Sequence, residues 1–304
     1  MSKSHVIRKM IAYRWLYLLA LPGIIYFILF RYIPMGGLVI AFKRYSPALG
    51  IMNSPWVGFK NFTDFFVNPA FFQLFRNTFM LAIYNLAFFF PLPIVLALML
   101  NSVKSSVYKR IVQTITYLPH FMSWVIIASI THVMFTTEGG LVNELIKSSG
   151  GKDISFLTDA KFFRALIIGQ AIWRETGWGT IIFLAALTAV DPQLYDAALV
   201  DGANAWQRLW AITIPAITPV IITLLILRLG HFLDTGFTQI FLMVNSLNRS
   251  VGEVFDTYIY SQGIRDGNRL SYTAAVGFFK SIVGLVLVIM ADKIAKKTDN
   301  DGIL

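Results

Sequence analysis

The chain has 304 residues, of which 56% are hydrophobic and only 14% charged, and its mean hydropathy is +0.65; this excludes a soluble globular domain and points to a polytopic membrane protein. There is no cysteine, which excludes structural disulfides, thiolate metal sites and a cysteine nucleophile. The formal net charge of +10 does not form a basic stripe. The cations stand at the ends of apolar runs, as topology signals and contacts to anionic lipid do, which argues against nucleic acid as a partner.

Six apolar runs follow one another, at 11–33, 79–100, 111–135, 162–190, 216–244 and 272–291. Each is long enough for a hydrocarbon core of about 30 Å, which needs roughly 20 helical residues. The expected fold class is therefore all-α integral membrane, with six transmembrane helices in a single domain over 1–304. The first run follows Lys3, Arg8 and Lys9, but it is long and no small-residue cleavage site closes it, so an uncleaved span is expected rather than a secretory signal. Bases concentrate in short segments at that start, at Lys104, Lys109 and Arg110, and at Lys293, Lys296 and Lys297. The longer connectors on the other side mix their bases with Glu138, Glu144, Asp153 and Asp159, so both termini are expected in the cytoplasm. No external segment is long enough to bury a second core, and no internal repeat is visible.

Between the fourth and fifth runs lies YDAALVDGANAWQRLWAITIP, residues 195–215. Asp191-Pro192 is a good helix start, an acid that caps free N–H groups followed by a residue that has none to lose. In a helix, Ala198, Gly202 and Ala205 fall at i, i+4 and i+7, a smooth strip open to close approach by another backbone. Trp206, Leu209, Trp210 and Thr213 would form a second face suited to lipid headgroups, and Pro215 would end the surface helix and start the next span.

The order Asp196, Ala197, Ala198, three residues, Gly202, nine residues, Ile212, one residue, Ile214, Pro215 resembles the E-A-A loop of permease subunits in type I binding-protein-dependent ABC importers. Asp196 stands where that family usually has Glu, and Ile214 where it usually has Leu. The segments PMGGLVIAFKRY (34–45), SPWVGFKNF (54–62), TYLPHFMSW (116–124) and SYTAAVGFFKS (271–281) resemble its polysaccharide and oligosaccharide importing, maltose-transporter-like group. The resemblance implies a six-helix core whose cytoplasmic coupling helix, with Asp196, Ala197, Ala198, Asp201, Gly202 and Pro215, engages a partner ATPase. It implies a second homologous permease, two copies of the ATPase and an extracellular or periplasmic sugar-binding protein, in a bacterial cytoplasmic membrane. ATP and Mg would be held by the ATPases, and no cofactor by this chain.

Charges inside the runs carry the substrate question. A central Arg, Lys or Asp costs about 2.5–3.5 kcal/mol on an insertion scale, so these residues must pair or line a wet path. The candidates for the substrate path are Trp173, Arg174, Glu175 and Trp178 in the fourth run, Arg228, His231, Asp234 and Thr235 in the fifth, and Lys280 in the sixth. Arg228, His231, Thr235 and Thr238 fall at i, i+3, i+7 and i+10, one continuous helical face that would wall the path. The competing account is structural. Arg174 and Glu175, being adjacent, would point apart and pair with other helices, and Arg228 or Lys280 would pair with Asp234 or Glu175. His231 by itself reads as a hydrogen-bonded interior histidine, with no second ligand at metal spacing. Trp173 and Trp178 offer flat faces for sugar rings, against the alternative of packing. Arg174, Arg228 and Lys280 outnumber Glu175 and Asp234, which points to oligosaccharides bearing carboxylates, such as an oligouronide.

No phosphate-binding loop is present; Gly150-Gly151-Lys152 lacks both the following Ser or Thr and the earlier Gly. The expectation is a non-enzymatic subunit of an ATP-driven importer for oligosaccharides or polysaccharide fragments. The rival is a stand-alone ion-coupled secondary transporter, which would usually show inverted repeats. A membrane-embedded enzyme would want clustered carboxylates or a His-rich set at one face, and the sequence offers neither.

Overall fold

The computed structural model describes residues 12–265, 267 and 269–297, so the basic start at Lys3, Arg8 and Lys9 lies outside it. Among the described residues the regular elements are helices, apart from one isolated antiparallel bridge between Lys43 and Trp56. The main helices are α1 (Arg14–Phe42), α2 (Ala70–Ser102), α3 (Ser106–Phe121), α4 (Trp124–Phe135), α5 (Ala160–Thr188), α6 (Pro192–Val200), α7 (Ala205–Gly230), α8 (Phe237–Met243) and α9 (Leu270–Lys297). Helices α1, α2, α7 and α9 are each long and apolar enough to cross a bilayer. Bent pairs α3–α4 (100°) and α5–α6 (67°) qualify together, giving up to 6 spans.

Internal packing divides the chain into two compact units, residues 1–67 with 262–278 and residues 68–261 with 279–304. In the first, the segments 34–45, 54–62 and 271–278 meet. Val57 N–H donates to the Phe42 carbonyl (2.9 Å) and Arg44 N–H to that of Pro55 (2.8 Å). Phe42 stacks on Trp56 and meets Phe59, Phe62 and Phe278. Asn61 donates to the Ala41 and Lys43 carbonyls, and Tyr45 N–H donates to the Ser271 hydroxyl. Aromatic packing here replaces a polar loop.

In the second unit, one core cluster joins Leu81, Ala128, Phe163, Ile167, Ile240 and Val254, and another joins Ala97, Leu100, Phe183, Leu187 and Ile217. Helix α5 runs through both clusters. It approaches α3 so closely at Gly177 that a Cβ there would lie 2.0 Å from the Thr116 carbonyl oxygen. Local sequence explains the irregularities. Pro91 has no N–H for a regular turn, so α2 widens into a π turn at Asn85–Phe89 just before it.

Two expected spans differ from the structure. The run 111–135 is not one helix: Pro119 lies in a 3₁₀ turn at Leu118–Phe121, and Ser123 caps the new helix α4 through the Ile126 N–H, after a 100° bend. The run 216–244 is also broken. α7 ends at Gly230, a turn follows, and α8 starts after Gly236, whose φ of +87° suits only glycine without strain. The expected face through Arg228, His231, Thr235 and Thr238 therefore does not exist as a helical stripe. Asp234 is instead drawn towards Lys280, and Gly284 lets α9 approach the Gly230 carbonyl.

Candidate functional site

The first candidate site is the segment from Asp191 to Thr213. Asp191 caps α6 by accepting from the Gln193 N–H (2.9 Å), with Pro192 at the first helical position, as its sequence predicts. Helix α6 ends at Val200, where Gly202 adopts φ +75° and Ala203 N–H closes back on the Ala198 carbonyl. Ala198, Gly202 and Ala205 thus share no helix, and the strip is replaced by a hairpin corner. The capping box of Asn204 and Gln207 then starts α7, and Arg208 donates to the Ala203 carbonyl. Pro215 does not stop this helix. A π turn at Leu209–Thr213 takes up its missing N–H, and α7 runs on to Gly230. Thr213 is buried rather than lipid-facing, and its hydroxyl meets that of Tyr195 at 3.0 Å, tying α6 to α7. Outward stand Asp196, Ala197, Asp201, Leu194, Leu199, Val200, Trp206 and Trp210, a large exposed apolar set around two acids.

The second is a polar cluster where α5 passes the break between α3 and α4. Arg174 and Glu175 do not point apart but pair with each other. The Arg174 Nε donates to the Met122 carbonyl (3.0 Å) and its guanidinium lies 4.7 Å from the Trp124 ring centre. Glu175 reaches on to the His120 Nδ1 at 2.8 Å, and the His120 ring stacks on Trp178 at 4.4 Å and 2°. Trp178 is half-exposed, so the pair presents a flat face outward; Trp173 is equally exposed but stands outside this cluster.

The third lies at the broken fifth run. Lys280, one-tenth exposed, pairs with Asp234 (2.7 Å) and with Asp256. His231 is exposed, not interior, and its Nδ1 lies 3.0 Å from Asp234. Arg228 donates to the Asn85 side-chain amide oxygen at 2.6 Å and, among the described residues, has no carboxylate within ion-pair distance. Thr235 lines a small void with Arg228, Asp234 and Asn85, its hydroxyl buried without a partner.

Residues 89–300 match the family described as binding-protein-dependent transport system inner membrane component. The chain belongs to this family. The permease is 57% identical to protein LplB of Bacillus subtilis (strain 168), over 95% of this chain and 91% of that one. It is 53% identical to the polygalacturonan/rhamnogalacturonan transport system permease protein YteP of the same organism, over 99% and 94%. Among solved structures it is similar to a chain of a bacterial ABC transporter involved in the import of the acidic polysaccharide alginate, with a TM-score of 0.88 and 39% identity over 96% of this chain and 99% of that one. A second structure of a bacterial alginate ABC transporter, in complex with an alginate pentasaccharide-bound periplasmic protein, matches with a TM-score of 0.89 and 38% identity, over 97% and 99%.

The permease is thus a transport subunit and not an enzyme, of an inner-membrane family with several membrane-spanning helices. Chemically these clusters offer an outward aromatic face, hydrogen-bonding groups and fixed charge. Four of its polar partners escape sequence reasoning. His120 and Trp124 sit beside Pro119 in a run read as one apolar helix, while Asn85 and Asp256 carry no periodic signal. The proline was the available clue: a break at membrane depth belongs where protein or a wet cavity receives it.

Proposed function

We propose that the permease forms half of a transmembrane path for carboxylate-bearing oligosaccharides or polysaccharide fragments, moved inward by ATP hydrolysed on partner subunits. The observation that supports this best is similarity of 53% and 39%, each over at least 96% of the chain, to two proteins named for polygalacturonan/rhamnogalacturonan and for alginate. In this proposal both termini and the corner 191–213 face the cytoplasm. A second homologous permease completes the path, two ATPases carry the ATP and Mg, and an external sugar-binding protein delivers the cargo.

Asp196, Ala197, Ala198, Asp201 and Gly202 form the surface that docks into the ATPase, with Pro215 just inside the helix that carries its movement into the membrane. Exposed Leu194, Leu199 and Val200 support this, since apolar side chains grouped on a water-facing corner mark a partner site. ATP drives transport by stabilising one arrangement of the spans more than the other. Trp178 with His120 forms a sugar platform on the path, positioned by Glu175 and Arg174, whereas Lys280 with Asp234 holds α9 to the turn at 231–236.

The test is uptake by vesicles holding the complete importer, comparing acidic and neutral oligosaccharides of equal length. ATP-dependent accumulation of the acidic one is expected. Uptake of the neutral one alone would overturn the substrate class, and accumulation by the permease without any ATPase would favour an ion-coupled transporter.

A further inference from the structure

The cations predicted as substrate contacts are not electrostatically equal. Arg174 is answered by Glu175, and Lys280 by Asp234 and Asp256. Lys161, at the start of α5, is answered by Asp159 at 3.0 Å, a carboxylate that the Lys161 backbone N–H holds below the usual range. Two arginines of the second unit differ. Arg228 is held by Asn85 (2.6 Å) and Arg164 by Asn77 (3.1 Å), and among the described residues neither has a carboxylate within 4.0 Å. An amide oxygen satisfies a guanidinium's geometry without neutralising it at contact distance, and Asp234 and Glu175 act on Arg228 only from beyond 4.0 Å. The Arg164 Nε, moreover, is buried with no hydrogen-bond partner.

Both asparagines belong to α2, and eight residues of helix place them roughly 12 Å apart along its axis. The space beside Arg164 has room for a ligand, whereas Arg228 borders a small void that it shares with Asp234. Tyr84, Phe88, Lys161, Arg164, Ala165 and Ile168 are among the residues lining a cleft of about 460 Å3, the size range of sugar-sized sites. Tyr84 and Phe88 form an aromatic pair 6.0 Å between ring centres, and Ile168 lines both this cleft and the void at Arg228. Aromatic faces beside a planar fork with no carboxylate at contact distance suit a sugar ring carrying a carboxylate.

We propose that Arg164 and Arg228 form a two-point ladder along α2 that recognises carboxylates of an acidic oligosaccharide, with one uronate ring seated against Tyr84 and Phe88. The ladder rests on the acidic-substrate reading above and assigns it to residues other than Arg174 and Lys280. The asparagines are its distinguishing feature, because an aspartate at either place would neutralise the fork internally.

The test uses the purified permease–ATPase complex in nanodiscs, with radiolabelled trigalacturonate and its methyl ester measured by equilibrium dialysis. The acid is expected to bind about tenfold or more tightly than the ester. Asn85→Asp, which keeps every arginine, should cut that preference several-fold, and Arg164→Gln should do the same. Equal binding of acid and ester by the unaltered complex, or a preference untouched by both substitutions, would overturn the ladder. So would an acid preference abolished by replacing zwitterionic lipid with phosphatidylglycerol, which would assign the guanidiniums to lipid headgroups. Failure of intact vesicles to take up uronates, with the binding preference present, would sink the proposed substrate class and spare the ladder.

Discussion

Gly177 is the point at which the permease's packing and its polar cluster are most tightly linked, and replacing it by alanine separates the two helices that build the cluster. The added Cβ would lie 2.0 Å from the Thr116 carbonyl oxygen, 2.4 Å from its carbon and 3.0 Å from the Tyr117 nitrogen. These are backbone atoms, so no side chain can swing aside. To restore ordinary contact near 3.5 Å, α3 must retreat by about 1.5 Å. Overpacking of this kind costs about 1–3 kcal/mol, here at the upper end, against at most about 1 kcal/mol gained from better helix propensity. The net loss is about 2 kcal/mol. Gly169 on the same helix has nothing within 4 Å of its hypothetical Cβ, so Gly169→Ala is an internal control expected to be neutral or slightly stabilising. Thermal unfolding in one detergent should place Gly177→Ala roughly 4–8 °C below Gly169→Ala. Trp178 emission should change as well, because His120, 4.4 Å from it, moves with α3. Equal melting temperatures for the two variants would refute the close-approach argument.

Gly202→Val should leave membrane insertion intact but prevent co-purification of the ATPase: the space is open, yet φ +75° costs a residue with a Cβ about 1–2 kcal/mol and reshapes the corner; undiminished co-purification would count against the docking assignment. Lys280→Met should destabilise the protein towards the lower end of about 3–5 kcal/mol, since Asp256 is well shielded while Asp234 is half-exposed. Adding Asp256→Asn should recover part of that loss in the same melting assay, and no recovery would contradict the pairing.

Much of the local structure is legible because it depends on neighbours in sequence. Asp191 before Pro192 caps a helix wherever that helix lies, whereas the expected helical strip through Ala198, Gly202 and Ala205 fails because Gly202 takes a positive φ and turns the chain. The broken spans were less legible. Hydropathy averages over windows of about 20 residues, so Pro119 and the turn at 231–236 disappear inside runs that stay apolar on either side. Pro215 misled in the opposite direction. A proline normally ends a helix, but the π turn at Leu209–Thr213 absorbs its missing N–H, and Thr213 in that turn also meets Tyr195 of α6.

By itself the chain's order of residues determined a membrane-embedded helical permease with a short surface helix starting at Asp191-Pro192 between two spans, because burial in lipid demands long apolar helices and capping is local. Only the tertiary structure decided which cations meet a carboxylate at contact distance. Arg174, Lys280, Arg228 and Arg164 look alike as letters, yet two are neutralised by carboxylates and two are held by asparagines, Arg228 by one 143 residues away. Net charge at a site is a sum over distances of a few ångströms, and those distances exist only once the helices have packed.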